Sequence, residues 1–383
     1  MLHEETFRAT LAQGAVHPSQ LHIICAIGSK YVHPGPRGHS LCVKYTEAAR
    51  GAVDMDFPSL ENFQTLLLIS ISYFYLGKGY KTFMLLGTAV RMAYGLDLHR
   101  ELPADEPATP VEREVRRRAF WACYLLDRFA VCGSRRPPML LEESILLKLP
   151  GSMPQMRGQN LDEQFFSSRM GLAGPGAGQS DIGGLLAPRR QAESASALCI
   201  DVTKLLGTTV RYIEQGGVKA DTHFPWHAQS NLTKIRRELD HWATRTLTCE
   251  LYSQTPGAAP GDGLYLRHPD VTLLVMAKAI FHLVSCLIYR PFLAVELGGN
   301  LRRAHQGVTA HGPEVGHGGQ QQIWQAEATK MCFVHANAIG DLVEVLKSAK
   351  PVGFQWPAIL GFVNGFISFN LFLTPVLLDR SVG

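Results

Sequence analysis

Eight cysteines, three evenly spaced histidines and a run of arginines are the residues of this 383-residue chain with the widest chemical range. The cysteines (Cys25, Cys42, Cys123, Cys132, Cys199, Cys249, Cys286, Cys332) are scattered, and none belongs to a C-x-x-C pair, so no zinc or dithiol motif is legible. Several sit inside apolar runs such as Leu21-His22-Ile23-Ile24-Cys25 and Val284-Ser285-Cys286-Leu287, where a reduced thiol behaves as a small hydrophobe. That usage predicts a reducing compartment. His305, His311 and His317 recur every six residues in a glycine-rich stretch, a spacing that suits neither one helix face nor a zinc pattern. No metal is expected there.

His99 and Asp127 are the one acid–base combination worth testing, but no nucleophile signature accompanies them, and a non-enzymatic chain is expected. His99-Arg100-Glu101 and Asp127-Arg128 set charges beside apolar helices, where each must find a partner or incur a large desolvation cost. An internal polar lock is the expectation. Arg116-Arg117-Arg118 has the composition of a phosphate or nuclear-import patch. Glu112 and Glu114 nevertheless stand four residues before Arg116 and Arg118, which predicts a paired, solvated helix start. Phe120, Trp121 and Tyr124 would line a pocket or fill a core, and their helical spacing favours the core.

Helices must position these groups. Thr109-Pro110-Val111-Glu112 combines a cap, a proline at the first helical position and a capping-box glutamate. The helix it starts is expected to run to about Cys132, with Val111, Val115, Ala119, Ala122, Leu126 and Phe129 on one stripe. Further helices are predicted over Leu60–Leu76, Lys81–Tyr94, Leu198–Ile213, Leu232–Trp242, Pro269–Tyr289, Ala328–Leu346 and Trp356–Leu378. The last has the length of a membrane span, but Asn364, Ser368, Asn370 and Pro375 interrupt it, and a buried core helix with no membrane is expected. Glycine-rich loops are predicted at 255–263 and 298–319.

No strand alternation is sustained, so the fold class is all-α: a large multi-helix bundle with flexible Gly/Pro-rich linkers. Residues 1–150 and 193–383 read as two halves of one domain. Residues 151–192 read as a linker, Gly171 to Gly184 having too little apolar surface to offset its ordering entropy. The net charge of +4 is far from a concentrated nucleic-acid footprint, and the acidic opening Met1-Leu2-His3-Glu4-Glu5 is unlike a secretion signal.

Three blocks carry a family resemblance: Leu85 to Arg100 (LLGTAVRMAYGLDLHR), Glu114 to Arg128 (EVRRRAFWACYLLDR), and Arg136-Pro137-Pro138 followed by Leu149-Pro150. Weaker echoes are Ile24 to Gly28, Tyr45 to Arg50, Asn62-Phe63-Gln64, Tyr289 to Phe292 and Cys332 to Leu346. The chain resembles the fungal-specific transcription factor domain, the middle homology region of fungal zinc-cluster transcription factors, and the xylanolytic-activator type most of all. The matching positions Arg91, His99, Arg100, Arg118, Phe120, Trp121, Asp127, Arg128, Arg136, Pro137 and Pro138 are expected to be structural.

The resemblance implies a regulatory domain acting in the nucleus on DNA-templated transcription, with homodimerisation, co-regulators or a small-molecule effector as partners. It also implies that DNA is met only through a six-cysteine zinc cluster, which these 383 residues do not contain; zinc is expected there alone. The C-terminal half is expected to be truncated relative to the family. Two rivals stand beside this reading: a stand-alone helical nuclear interaction module, and a soluble helical enzyme using His99 and Asp127.

Overall fold

A computed structural model describes residues 2–33, 35–131, 136–151, 194–247, 269–293 and 317–348. Ten helices follow in order: α1 (Glu4–Ala12), α2 (Pro18–Val32), α3 (Pro36–Ala52), α4 (Leu60–Tyr75), α5 (Gly79–Gly95), α6 (Pro110–Val131), α7 (Ala195–Glu214), α8 (Asn231–Leu247), α9 (Pro269–Tyr289) and α10 (His317–Ser348). Among the described residues there is no strand, only an isolated bridge between Arg100 and Leu146. The expected all-α class is what the chain adopts.

Helix starts follow local chemistry. Prolines open α2, α3 and α6, where their missing N–H costs nothing. The predicted capping box at α6 forms in both directions: the Thr109 amide donates to Glu112 Oε2 at 2.7 Å and the Glu112 amide to Thr109 Oγ1 at 3.2 Å. The turn from α4 into α5 is closed by Gly77 in the left-handed region at φ +69°, a conformation that a Cβ would strain.

Two apolar cores form. The first gathers Ile23, Phe63, Leu66, Leu67, Ile69, Tyr73, Leu86, Phe120 and Tyr124 from α2 to α6. The second gathers Leu198, Val202, Leu206, Leu239, Trp242, Ile280, Val284, Trp324 and Cys332 from α7 to α10. They meet where α6 touches α7: Leu125 packs against both cores, and Ile200 of α7 belongs to the first. Residues 273–292, mostly α9, are long and apolar enough to cross a membrane, but 61% of that stretch is buried in the fold, as a core helix would be.

The structure departs from the sequence expectation at α10. That helix begins at His317, well before Ala328, and takes the end of the loop expected over 298–319. The reason is Trp324, buried one turn before Ala328 and two before Cys332 and extending their seam against the second core. His317 is therefore helical. His305, His311, Cys249, the predicted helix 356–378, the loop 255–263 and, apart from Gly151, the linker 151–192 lie outside the described residues.

One contact in the second core titrates. His282 and His335 meet Nδ1 to Nδ1 at 2.9 Å across α9 and α10, so one ring must donate and the other accept. Burial, then His335 and Lys278, lower His282 to about 4; burial also lowers His335, with Asp240 opposing. The folded state thus binds fewer protons than the unfolded one between about pH 4 and 6.5. The stabilisation is complete above about pH 6.5 and is lost as pH falls through about 4, a change of about 3 kcal/mol for His282 at about 1.4 kcal/mol per pKa unit. Urea midpoints measured at pH 7 and pH 4 should show it, and His282→Phe should flatten the dependence. A slope unaltered by that substitution would mean other groups set the acid limit.

Candidate functional site

The residues of the second sequence block share one face of α6. Glu114, Arg117 and Arg118, Trp121, Tyr124 and Arg128 recur every three or four positions, so they climb the helix as a polar stripe. Segment 139–151 runs antiparallel along that stripe and is pinned to it rung by rung. The Met139 and Leu140 amides donate to the Asp127 carboxylate at 3.0–3.1 Å. Tyr124 donates its hydroxyl to Glu142 Oε1 at 3.0 Å, and Trp121 Nε1–H donates to the Lys148 carbonyl at 2.8 Å. At the far end Arg118 donates to the Gly151 carbonyl at 2.7 Å, and the Gly151 amide returns a bond to Glu114 at 3.0 Å.

Charge balances at both ends of this ladder. Arg117 is buried between two carboxylates, bonding Glu101 at 2.8 Å and Glu114. Burial opposes its charge, but Glu101 and Glu114 more than restore it and hold the proton more tightly than usual. Glu101 is held below the usual carboxylate range, its own burial being outweighed by Arg117 and the Lys148 amide. Arg128 is 1% exposed; it bonds Asp127 at 2.8 Å, the Leu140 carbonyl at 2.8 Å and Glu142 at 3.3 Å, with its guanidinium 4.4 Å over the Tyr124 ring. Burial pushes the Asp127 carboxyl up, against the pull of the two amides and Arg128.

Arg128 also sets the approach of the two cores. Among the described residues its Nε has no hydrogen-bond partner, and it faces Gly207 of α7, where a Cβ would lie 3.0 Å from Nε and 3.1 Å from Cδ. A guanidinium held by three partners has little room to yield. Gly207→Ala is therefore expected to cost about 1 kcal/mol net, overpacking of about 1–3 kcal/mol exceeding the gain of about 1 kcal/mol in helix propensity. Gly28→Ala, in open space within α2, should stabilise instead. Thermal melts of the two variants check this, and equal stabilisation of both would show that Arg128 can move.

The structure does not bring His99 and Asp127 together. His99 Nε2 accepts from Arg100 Nε at 2.9 Å, its ring meets Tyr94 edge-on at 5.1 Å, and its carbonyl accepts the Leu146 amide at 2.9 Å. Burial and the Arg100 charge hold its pKa below the ordinary value. Arg136 lies over the Phe83 and Tyr80 rings at 4.5 and 5.0 Å beside Pro137 and Pro138, while Arg91 is exposed. Phe120 is fully buried and Trp121 is 4% exposed.

Two readings of the arginine run need correction. Glu112 does not pair with Arg116, because the capping box uses its carboxylate; Arg116 instead donates to the Leu96 carbonyl at 2.9 Å. Nor is the helix start solvated, since Arg117 and Glu114 are 5% and 6% exposed. Sequence reasoning also missed Glu142 and Gly207. The available signal was the unmatched charge of Arg128, which called for an acceptor beyond its neighbour. Among the described residues no three His, Cys, Asp or Glu side chains converge on a point that would hold a metal.

Residues 1–244 match the fungal specific transcription factor domain. The Zn(2)-C6 fungal-type transcription factor FTF2 of Fusarium oxysporum f. sp. lycopersici is 28% identical over 250 residues, 61% of this chain and 23% of that protein. FTF1a, another Zn(2)-C6 fungal-type transcription factor of the same organism, is 40% identical over 80 residues, 19% of this chain and 8% of its own length. A transcriptional regulatory protein of Schizosaccharomyces pombe is 27% identical over 268 residues, 63% of this chain and 26% of that protein. The chain spans about a quarter of the length of these curated relatives, or less. No solved structure matches. Since the match takes in α1 to α7, most of α8 and every rung of the ladder on α6, the chain belongs to the fungal-specific transcription factor domain family.

Proposed function

We propose that this chain is the regulatory part of a fungal zinc-cluster transcription factor, acting in the nucleus as a non-enzymatic helical body. The observation that carries the reading is the family match over residues 1–244. The use of the block residues supports it: Glu114, Arg117, Trp121, Tyr124, Asp127 and Arg128 bond to one another and to segment 139–151, so their role is to hold the body together. Residues 1–150 and 193–383 act as two halves of that body, joined across α6 and α7. Homodimerisation and co-regulators are the expected protein contacts. An open cavity of ≈ 330 Å³ among α1, α4 and α6, lined by Leu2, Phe7, Val111 and Val115 among others, is where a small-molecule effector would enter.

DNA contact is assigned to the zinc module that the names of the relatives imply, and not to these residues. Specific readout needs an element that delivers side chains to base edges, and nonspecific binding needs cations free to displace counterions. Arg113 bonds the Leu102, Pro103 and Glu106 carbonyls, Arg116 bonds Leu96, and Arg117 and Arg118 pair with carboxylates. One experiment with two arms tests the proposal. Titrated with random and promoter duplexes at about 150 mM salt, the purified chain should bind no tighter than roughly 10⁻⁴ to 10⁻⁶ M and without preference. Fused to an unrelated DNA-binding module, it should change reporter output relative to the module alone. Nanomolar preference for one duplex would mean that the helical body reads DNA itself, and an unchanged reporter would remove the regulatory role.

A further inference from the structure

Helices α9 and α10 pack antiparallel, and their facing residues pair in register, His282 with His335 and Cys286 with Cys332, followed just past the end of α9 by Phe292 with Trp324. The cysteine rung differs from every other cysteine described. Cys286 Sγ lies 3.7 Å from the Cys332 carbonyl oxygen, and Cys332 Sγ lies 3.9 Å from the Cys286 carbonyl oxygen. Each thiol thus donates to the other's backbone carbonyl, so that each sulfur rests against the opposite helix. Two cysteine side chains that reach each other's backbone in this way are neighbours, the first condition for a disulfide. The two residues are 46 positions apart in sequence and form no motif.

We propose that Cys286 and Cys332 are a peroxide-responsive dithiol whose oxidation to an intrachain disulfide ties α9 to α10. The roles of the two sulfurs are unequal. The neighbouring Cys286 thiol, together with the Arg290 cation, holds Cys332 below the ordinary thiol value against its burial. The neighbouring Cys332, with burial, pushes Cys286 up. Cys332 is the nucleophile: its thiolate attacks the terminal oxygen of a hydroperoxide, the O–O bond breaks, and the departing oxygen leaves as hydroxide, or as alkoxide from an alkyl hydroperoxide, and takes a proton to become water or the alcohol. Cys332 is then a sulfenic acid. The Cys286 sulfur attacks it, losing its proton as the S–S bond forms and the S–O bond breaks, and a second oxygen leaves as water. Two electrons pass from the dithiol to the peroxide.

Shelter selects the oxidant. Cys332 is 0% and Cys286 6% exposed, so hydrogen peroxide, scarcely larger than water, is favoured over a bulky disulfide such as oxidised glutathione. Cys25 is exposed, and Cys199 lies beside Thr203. The full chain would be treated with hydrogen peroxide or with oxidised glutathione, thiols blocked, and proteolytic fragments compared by mass with and without reductant. Peroxide should give one reducible link joining the Cys286 and Cys332 fragments, lighter by two hydrogens, and raise the melting temperature by roughly 5–10 °C. Cys25→Ser should keep the link and Cys332→Ser should remove it. If Cys332→Ser does not fold, the fragment map of the unaltered chain still decides. Absence of the link, a link to Cys25, over-oxidation of Cys332 in its place, or equal reactivity with glutathione disulfide would each overturn the proposal.

Discussion

Replacing Asp127 with alanine is expected to lower the unfolding free energy by about 3–5 kcal/mol, because it leaves the buried Arg128 guanidinium stranded but for its longer contact with the half-buried Glu142. The Met139 and Leu140 amides lose their acceptor in the same step. The reverse experiment separates charge from packing. In Asp127→Ala with Arg128→Met, no buried cation remains, and part of the loss should return even though two further bonds of Arg128, to Leu140 and Glu142, are gone. Urea midpoints at constant m-value are the measurement. A double variant no more stable than Asp127→Ala would show that the pair matters through its individual hydrogen bonds and not through the stranded charge.

Trp121→Ala is the second large effect, about 3–5 kcal/mol, since a 4%-exposed ring leaves a cavity that the flanking Phe120 and Tyr124 rings, 5.9 and 5.3 Å away and both anchored in the first core, cannot fill. Trp121→Phe isolates a smaller share: most of the apolar contact persists, and the loss is mainly the bond to the Lys148 carbonyl, about 1 kcal/mol. An unchanged melting temperature in Trp121→Ala would mean that the ring is accessible in solution, and a partner or ligand role would then come first.

The start of α6 was legible because the helix carries its own start signal, but its inward face was not: of Val111, Val115, Ala119, Ala122, Leu126 and Phe129 only Ala119 is buried, while Glu114, Arg117, Phe120, Trp121, Tyr124, Asp127 and Arg128 are. The opening helices were harder to read. The buried face of α3 is Gly38, Cys42, Thr46 and Ala49, and that of α2 includes Ser19, Gln20 and Ser29. Small and polar residues let two backbones approach and bond directly, as Ser29 does to the Gly38 carbonyl at 3.2 Å, but they leave no apolar periodicity to detect. The ladder was legible only in half. Sequence shows which charges sit beside an apolar helix, and the expectation of an internal lock followed from that. It does not show that the partners are backbone groups of a segment 12 to 37 residues away. Glu112 is the converse case, where two local rules competed for one carboxylate and the cap won.

The antiparallel ladder also makes the third sequence block a ruler for the second. Fourteen helical positions from Glu114 to Asp127 advance about 20 Å, and the contacts at Met139, Leu140, Glu142, Lys148 and Gly151 must fall in step with them. Chain length is thus fixed between Met139 and Gly151, whereas the connection after Val131 needs only to span the gap. A residue inserted beside Glu142 would shift every later rung by one and turn the Lys148 carbonyl away from Trp121, while one inserted before Arg136 leaves the spacing of the rungs untouched. Among natural relatives, length variation should therefore collect ahead of the Arg-Pro-Pro triplet and be missing between it and Gly151.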